Sequence, residues 1–455
     1  MIELAPERIA QACGAEIVRR GGEGRPERAV IDSRQVGPGD LFAGLRGESA
    51  DGGRFAGDAL AAGAWGVLVG AEHADAAAGS RGWVFSVADP LESLQALARE
   101  WRRELGARVI GITGSTGKTS VKDIAKAILP LRVHASPENY NTEIGLPLTI
   151  LAAPPETEAL VLEMAMRGLG QIAELCEIAE PEVAAITNVG PVHLELLGSI
   201  EAIAEAKAEI LQGLGRTGRA VVPVDSEALA PHLSDELVTI TFGPGGDVLA
   251  LESEVEGRAM RALIGTPDGT VRFQLPFTEE HNLRNALAAI AIGVALELDV
   301  EEMARRAPGI TFSRLRGELV ELPGPIVIVN DCYNANPISM RAALDNLAAM
   351  PAQGRRLAVL GDMAELGPQA PEYHREIGAH ARQLEVDAIV GVGELARDYA
   401  PDDWVPGPDE AALLVESLVK PGDVVLVKGS RSVGLELVTD DLRARLGGAG
   451  REATR

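Results

Sequence analysis

The chain has 455 residues, of which 46% are hydrophobic, 24% are charged and 51 are glycine, a composition that suits about two to four ordered α/β domains and argues against disorder. Its formal net charge of −25 excludes a general binder of nucleic acid or anionic membranes, because those partners require a basic face. A phosphate-rich ligand must therefore be held by local positive charge and metal ions.

The N-terminal stretch MIELAPERIAQACGAEIV lacks a basic segment followed by an apolar one, and the longest apolar stretches are interrupted by charges or glycine, so a cytoplasmic protein without membrane insertion is expected. Cys13, Cys176 and Cys332 are far apart and form no CxxC pair, which fits neither a disulfide framework nor a zinc site and points to a reducing compartment. Over residues 1–88 the apolar runs AVID (29–32), DLFAGL (40–45), WGVLV (65–69) and WVFSV (83–87) predict a small α/β unit. A helical stretch, LESLQALAREWRREL, puts the first boundary between 88 and 107.

The second domain, 89–313, alternates strands and helices through RVIGIT, EALVLEM, VAAITNV and AVVPV, with a β-rich insert over 237–277. That order predicts a parallel sheet wrapped by helices. ITFSRLRG (310–317) reads as the next linker. In the third domain, 314–455, IVIVND, LAVLG, AIVGVG and DVVLVKG each alternate with a helical stretch, which predicts a second doubly wound sheet. The tail GGAGREATR is expected to fray.

RVIGIT runs into GSTGKTS (114–120) and then into the helical VKDIAKAIL. A strand that turns through glycines into a helix aims backbone N–H groups and the positive end of the helix dipole at one spot, which suits a phosphate. Gly114, Ser115, Thr116, Gly117 and Ser120 form the turn, Lys118 supplies a point charge for ATP, and Thr119 stands where such loops ligate Mg²⁺. The usual motif places a glycine where this chain has Ile112, and a plain glycine turn with a solvated lysine is the alternative.

Glu163 ends the run ALVLEM, where a parallel sheet presents metal ligands, although a carboxylate at a strand end also suits water. His193 follows VAAITNVGP in the same way and reads equally as a surface or structural imidazole. Lys207 falls on the apolar face of SIEAIAEAKAEILQGL, so its ammonium either snorkels to water or is stripped of it. In the second case the depressed pKa leaves a neutral amine, able to take up CO₂ as a carbamate that binds Mg²⁺. The polar clusters SPENYNTEIGLP, HNLRN, NDCYNANP, GDMAELG and KGSRS each sit where an apolar run ends or a helix starts. Cys332, with no histidine nearby in sequence, reads as a small buried hydrophobe.

Together these segments resemble the Mur ligase family. The resemblance rests on TGSTGKTS, IDSRQVGPGDLFAGLRGE, LEMAMRGLGQI, TNVGPVHLELLGS, NDCYNANPISM, LGDMAELG and VKGSR, and its phosphate loop is similarly without the first glycine. It implies a three-domain α/β architecture: a small N-terminal domain, a central P-loop-type ATPase domain and a C-terminal Rossmann-like domain. It further implies an ADP-forming ligase of peptidoglycan precursor synthesis, the member that joins UDP-MurNAc-tripeptide to D-Ala-D-Ala through an acyl phosphate, acting as a monomer. Ser33 and Arg34 would then lie at the uridine-diphosphate site, with Asn139, Asn141 and Thr142 facing the MurNAc-peptide. Thr119 and Glu163 would hold one Mg²⁺, and His193 with carbamylated Lys207 a second. Asn282 and Asn285 would flank adenine, while Arg316 and Asp331 would reach ATP from the linker and third domain. Tyr333, Asn334, Asn336, Asp362 and Glu365 would border the reacting carboxylate or the incoming dipeptide. Two departures stand out: DGGRF (51–55) replaces the more usual DGHDF, and Thr142 replaces asparagine. Another amino-acid-adding ligase of this family, a folylpolyglutamate synthetase, and from a different class a P-loop kinase or regulatory NTPase are the competing readings.

Overall fold

Continuous apolar runs become buried parallel strands, and each ends where a ligand can reach it. The computed structural model describes residues 3–47, 50–79, 81–137 and 139–449. The tail expected to fray completes the helix Glu436–Ala449 and beyond it lies outside the described residues.

The first sheet contains β1 (Glu16–Arg19), β2 (Ala29–Val30), β3 (Leu41–Ala43), β4 (Gly66–Gly70) and β5 (Trp83–Val87), in the order β1-β5-β4-β3-β2. Strands β2 to β5 are parallel, and β1 pairs antiparallel with β5. The short half-buried run EIVR of β1 carries too little alternation to be anticipated.

The second sheet is parallel throughout: β6 (Arg108–Thr113), β7 (Val133–Ala135), β8 (Ala159–Glu163), β9 (Val183–Ile186), β10 (Arg219–Pro223) and β11 (Val238–Phe242), in the order β11-β10-β9-β6-β8-β7. Helices cover both faces, which is why RVIGIT and ALVLE are buried almost without a break. Val238–Phe242, expected within the insert over 237–277, instead pairs in parallel with β10; the insert proper is the antiparallel sheet β12 (Leu249–Glu256), β13 (Ala259–Thr266) and β14 (Gly269–Leu275).

The C-terminal sheet runs β15-β16-β20-β17-β18-β19, from β15 (Glu318–Leu322), β16 (Ile326–Asn330), β17 (Arg356–Gly361), β18 (Ala388–Val392), β19 (Asp403–Val405) and β20 (Val424–Lys428). All pairs are parallel except β15 with β16. Among the described residues no helix is long and apolar enough to cross a membrane.

The helix Pro90–Leu105 fuses the first two domains. Asp89 caps its start by accepting from the amides of Leu91 and Glu92, Pro90 occupies the first turn, and Gly106 ends it in the left-handed region at φ 60°. Its apolar stripe of Leu94, Leu97, Ala98 and Trp101 joins one core with Leu68 and Phe85 of the first sheet and Leu160 and Leu162 of the second. The C-terminal sheet instead has two cores of its own, one on each face. Trp101 is 2% exposed and donates from its indole to the Ala153 carbonyl at 3.3 Å. Trp101→Ala is expected to cost about 3–5 kcal/mol through the cavity it leaves. Urea unfolding followed by circular dichroism checks this, and an unchanged midpoint would contradict the shared core.

Candidate active site

Because β9, β6 and β8 are neighbours, the turns that leave them converge. Gly114 sits at φ +149°, and a Cβ there would meet Thr187 Oγ1 at 1.9 Å, so the turn after β6 is pressed against the turn after β9 and only glycine fits. Asn188 stitches the two together: its side-chain oxygen accepts from the Thr116 amide at 2.9 Å, and its backbone carbonyl accepts from the Ser115 amide at 3.1 Å. The Ser115 hydroxyl also donates to the Gly190 carbonyl at 3.0 Å. The helix Lys118–Ile128 then starts after Gly117, with Val121, Ile124, Ala125 and Ile128 buried at helical spacing.

A cleft of about 960 Å³ opens above this turn. It is lined by Ser115 to Ser120, Asn139, Asn141, Thr142, Glu163, His193, Asn282, Asn285, Arg316, Asp331, Tyr333, Asn334, Asn336 and Glu365. Gly114 lies beneath its floor. Besides Gly114, four of the expected site residues do not line it: Ser33, Arg34, Lys207 and Asp362. Ser33 and Arg34 stand apart at the carboxyl end of β2, where Arg34 is tied to Asp32. Asp362 turns into its own domain, accepting from the Ala396 amide at 2.7 Å in the turn Leu395–Tyr399.

At the cleft floor the Thr119 hydroxyl donates to Glu163 Oε2 at 3.1 Å. Arg316 Nη2 donates to the same hydroxyl at 3.2 Å, while its guanidinium carbon lies 3.8 Å from the centre of the Tyr333 ring. Arg316 Nε is buried without a hydrogen-bond partner among the described residues. Lys118 folds back to donate to the Gly114 carbonyl at 2.6 Å, and burial lowers its pKa to about 8.

Lys207 does not snorkel. It is 2% exposed, and burial, with Lys118's charge adding to it, holds its pKa well below the usual lysine range. No carboxylate lies within ion-pair distance of it among the described residues. His193 is likewise kept below its usual pKa by burial, against the opposing pull of Glu365, which bonds its Nδ1 from the C-terminal domain.

Further contacts cross from the C-terminal domain. Tyr333 donates its hydroxyl to Asn139, and Arg167 pairs with Glu365 at 3.6 Å. A Cβ at Gly190 would meet Ile338 Cδ1 at 2.0 Å, so Ile338 seats in a socket that glycine alone leaves open. Asn282 donates to Glu279 at 3.4 Å, Asn285 donates to Asn282 at 3.3 Å, and Asn285 lies directly over Gly117. Asn336 caps the helix Pro337–Ala349, accepting from the Ser339 amide. Lys428, 2% exposed, fixes the 331–334 turn by bonding Asp331 Oδ2 at 2.7 Å and the Asn334 carbonyl at 2.9 Å.

Asn188, Lys428 and Arg167 went unassigned in the sequence, although TNVGP, KGSRS and LEMAMRG contain them; only the strand-end position of each segment signalled them. DGGRF also finds its explanation, since a Cβ at Gly53 would strike the His73 ring at 2.2 Å. An imidazole from a different helix occupies the space beside Asp51, which it bonds at 3.0 Å. Cys332 is fully buried and its thiol is pushed up to about 12, so it is no nucleophile.

The GDMAELG turn depends on a neutral histidine. His374, fully buried, accepts from the Met363 amide through Nε2 at 3.0 Å and donates from Nδ1 to the Ala370 carbonyl at 2.6 Å. Burial lowers its pKa in the folded state, so below the ordinary value of about 6.5 the unfolded chain takes up a proton that the folded chain refuses. This contribution to stability is intact above that pH and is lost as pH falls. His374→Gln keeps both bonds without titrating. Its melting temperature is expected to drop less than the parent's between about pH 7.5 and 5.5, and equal drops would contradict the assignment.

Comparison with known proteins agrees with this geometry. Family models described as Mur ligase middle domain, Mur ligase glutamate ligase domain and Mur ligase family catalytic domain match residues 112–293, 315–431 and 29–102. The chain is 36% identical to the UDP-N-acetylmuramoyl-tripeptide--D-alanyl-D-alanine ligase of Bacillus subtilis, covering 91% of this chain and 92% of that protein. To the ligase of the same name from Escherichia coli it is 32% identical, covering 97% and 99%. Among solved structures, MurF ligase from Thermotoga maritima in complex with ADP superposes with a TM-score of 0.81 at 32% identity, covering 93% of this chain and 98% of that one. The chain belongs to the Mur ligase family.

Proposed function

We propose that this chain joins the terminal carboxylate of UDP-MurNAc-tripeptide to the amine of D-Ala-D-Ala, converting ATP to ADP and phosphate and yielding UDP-MurNAc-pentapeptide. The observation that carries this reading is the near full-length likeness to ligases named for that reaction, in a chain whose central and C-terminal domains meet over one phosphate loop. A carboxylate is a poor electrophile in water, and phosphorylation gives it a leaving group. ATP phosphorylates the carboxylate, the dipeptide amine attacks the acyl phosphate, and phosphate leaves from the tetrahedral adduct.

Lys118, the amides of residues 114–120 and Arg316 hold the phosphates and meet the charge that develops on them. Asn282 and Asn285 border the base, and Asp331, fixed by Lys428, faces the rest of the nucleotide. Asn139, Asn141 and Thr142 face the sugar peptide. Tyr333, Asn334, Asn336 and Glu365 border the acceptor amine from the C-terminal side, and Ser33 and Arg34 take the uridine diphosphate at the carboxyl edge of the first sheet. The donor set at Thr119 and Glu163 is a hydroxyl and a carboxylate, hard oxygens that suit Mg²⁺. His193 and an unmodified Lys207 do not suit it. Lys207, however, with its pKa held well below the lysine range, would add to CO₂ with loss of one proton, and the resulting carbamate with His193 would hold a second ion. Bound magnesium would offset phosphate charge.

Purified protein given ATP, UDP-MurNAc-tripeptide and D-Ala-D-Ala is expected to release ADP and phosphate only when both substrates are present. Release of AMP and pyrophosphate would end the acyl-phosphate scheme, and release without the dipeptide would favour a kinase or NTPase. Lys207→Ala is expected to lose activity about a hundredfold or more, with bicarbonate raising the parent's activity after CO₂ is stripped but leaving the variant unchanged. Full activity in the variant would remove the carbamate.

A further inference from the structure

We propose that Lys122 is a positioning residue for Glu163, holding one carboxylate oxygen so that the other is presented to Thr119 and the magnesium of the nucleotide. The proposal rests on the assignment of Glu163 as a metal-facing carboxylate. Lys122 is 3% exposed and lies one helical turn beyond Lys118 on the phosphate-loop helix. Its ammonium has three hydrogens to place and three oxygens to receive them. Nζ lies 3.0 Å from Asp123 Oδ1 and 3.5 Å from Glu163 Oε1, and it donates to the Ser136 carbonyl at 3.1 Å.

The Ser136 hydroxyl closes the ring, accepting from the backbone amide of Glu163 at 3.1 Å. Glu163 is thereby fixed at its main chain and at Oε1, and Oε2, which accepts from Thr119, is the oxygen left to turn toward the cleft. A buried lysine is an expensive way to fill space, since an apolar side chain of similar volume avoids the desolvation. What the charge adds here is a fixed orientation for a neighbouring carboxylate. Asp123 extends the cluster: its second oxygen accepts from the Ser313 amide at 2.8 Å, in the linker to the C-terminal domain. The tie that aims Glu163 thus also reaches the segment that must move when that domain swings.

The test measures affinity of the full chain for a non-hydrolysable ATP analogue by calorimetry, with magnesium and with EDTA, in the parent, Lys122→Met, Glu163→Gln and the double variant. Lys122→Met is expected to reduce the magnesium-dependent gain in affinity about tenfold and to leave affinity in EDTA unchanged. In the Glu163→Gln background the same substitution is expected to cost nothing further, because its effect passes through that carboxylate. A full magnesium gain in Lys122→Met, or an equal loss in both backgrounds, overturns the proposal. A full gain in Glu163→Gln alone overturns the assignment of Glu163 instead, and the proposal with it. Should Lys122→Met not fold, Lys122→Arg asks the same question, because a guanidinium keeps the charge but not the ammonium's three contacts; an unchanged magnesium gain there is equally fatal.

Discussion

Positive charge withdrawn from water is the constraint from which the site follows. A chain with a net charge of −25 gathers Lys118, Lys122 and Arg316 around Thr119 and the carboxylate Glu163, with Lys207 buried within reach of the charge on Lys118. Taking each cation out of water costs several kcal/mol unless a partner offsets it, and the three lysines meet that cost differently. Lys122 is paired with Asp123 and Glu163. Lys118 rests on a loop carbonyl with its pKa lowered to about 8, so a phosphate beside it would offset the cost of its burial. Lys207 has neither remedy, and burial holds its pKa well below the usual lysine range.

Covalent continuity and shared packing then decide what moves. The helix Pro90–Leu105 buries one stripe against both the first and second sheets, so the first two domains behave as one body. The C-terminal domain carries its own cores and is joined through the 310–317 linker, where Leu315 sits in the left-handed region at φ 61°. Water exclusion, which an acyl phosphate requires, thus falls to the one domain whose displacement disrupts no core.

Much of this was legible in the sequence because strand, turn and helix signals are local. The phosphate loop, Glu163 at a strand end and Lys207 on an apolar face could each be placed from spacing alone. Residues that act across long separations in the chain were not legible: Asn188 on Thr116, Lys122 on Glu163, and Ile338 in the socket of Gly190 belong to segments that only the strand order β9-β6-β8 and the docking of the third domain bring together. The strand β15 was missed for a related reason. Its exposure alternates as in a half-solvated edge, a weaker signal than the continuous runs of its parallel neighbours. His73 beside Gly53 shows the limit from the other side, since a motif lost in sequence was filled in space by a different helix.

Strain at the cleft rim bears on how closure stays reversible. His193, Glu365 and Asn139, all non-glycine, occupy the left-handed region at φ 55°, 62° and 66°, and each makes a contact between the central and C-terminal domains. Such conformations cost of order 1–3 kcal/mol apiece, less for asparagine, and persist only where surrounding contacts hold them. The same contacts that close the cleft therefore hold the backbone in conformations it would leave on opening. Packing of Ile338 against Gly190 and the bonds of Arg316 and Glu365 favour closure; the strain opposes it. Because the two oppose each other, ligands that bind the closed arrangement more tightly than the open one shift the population toward it.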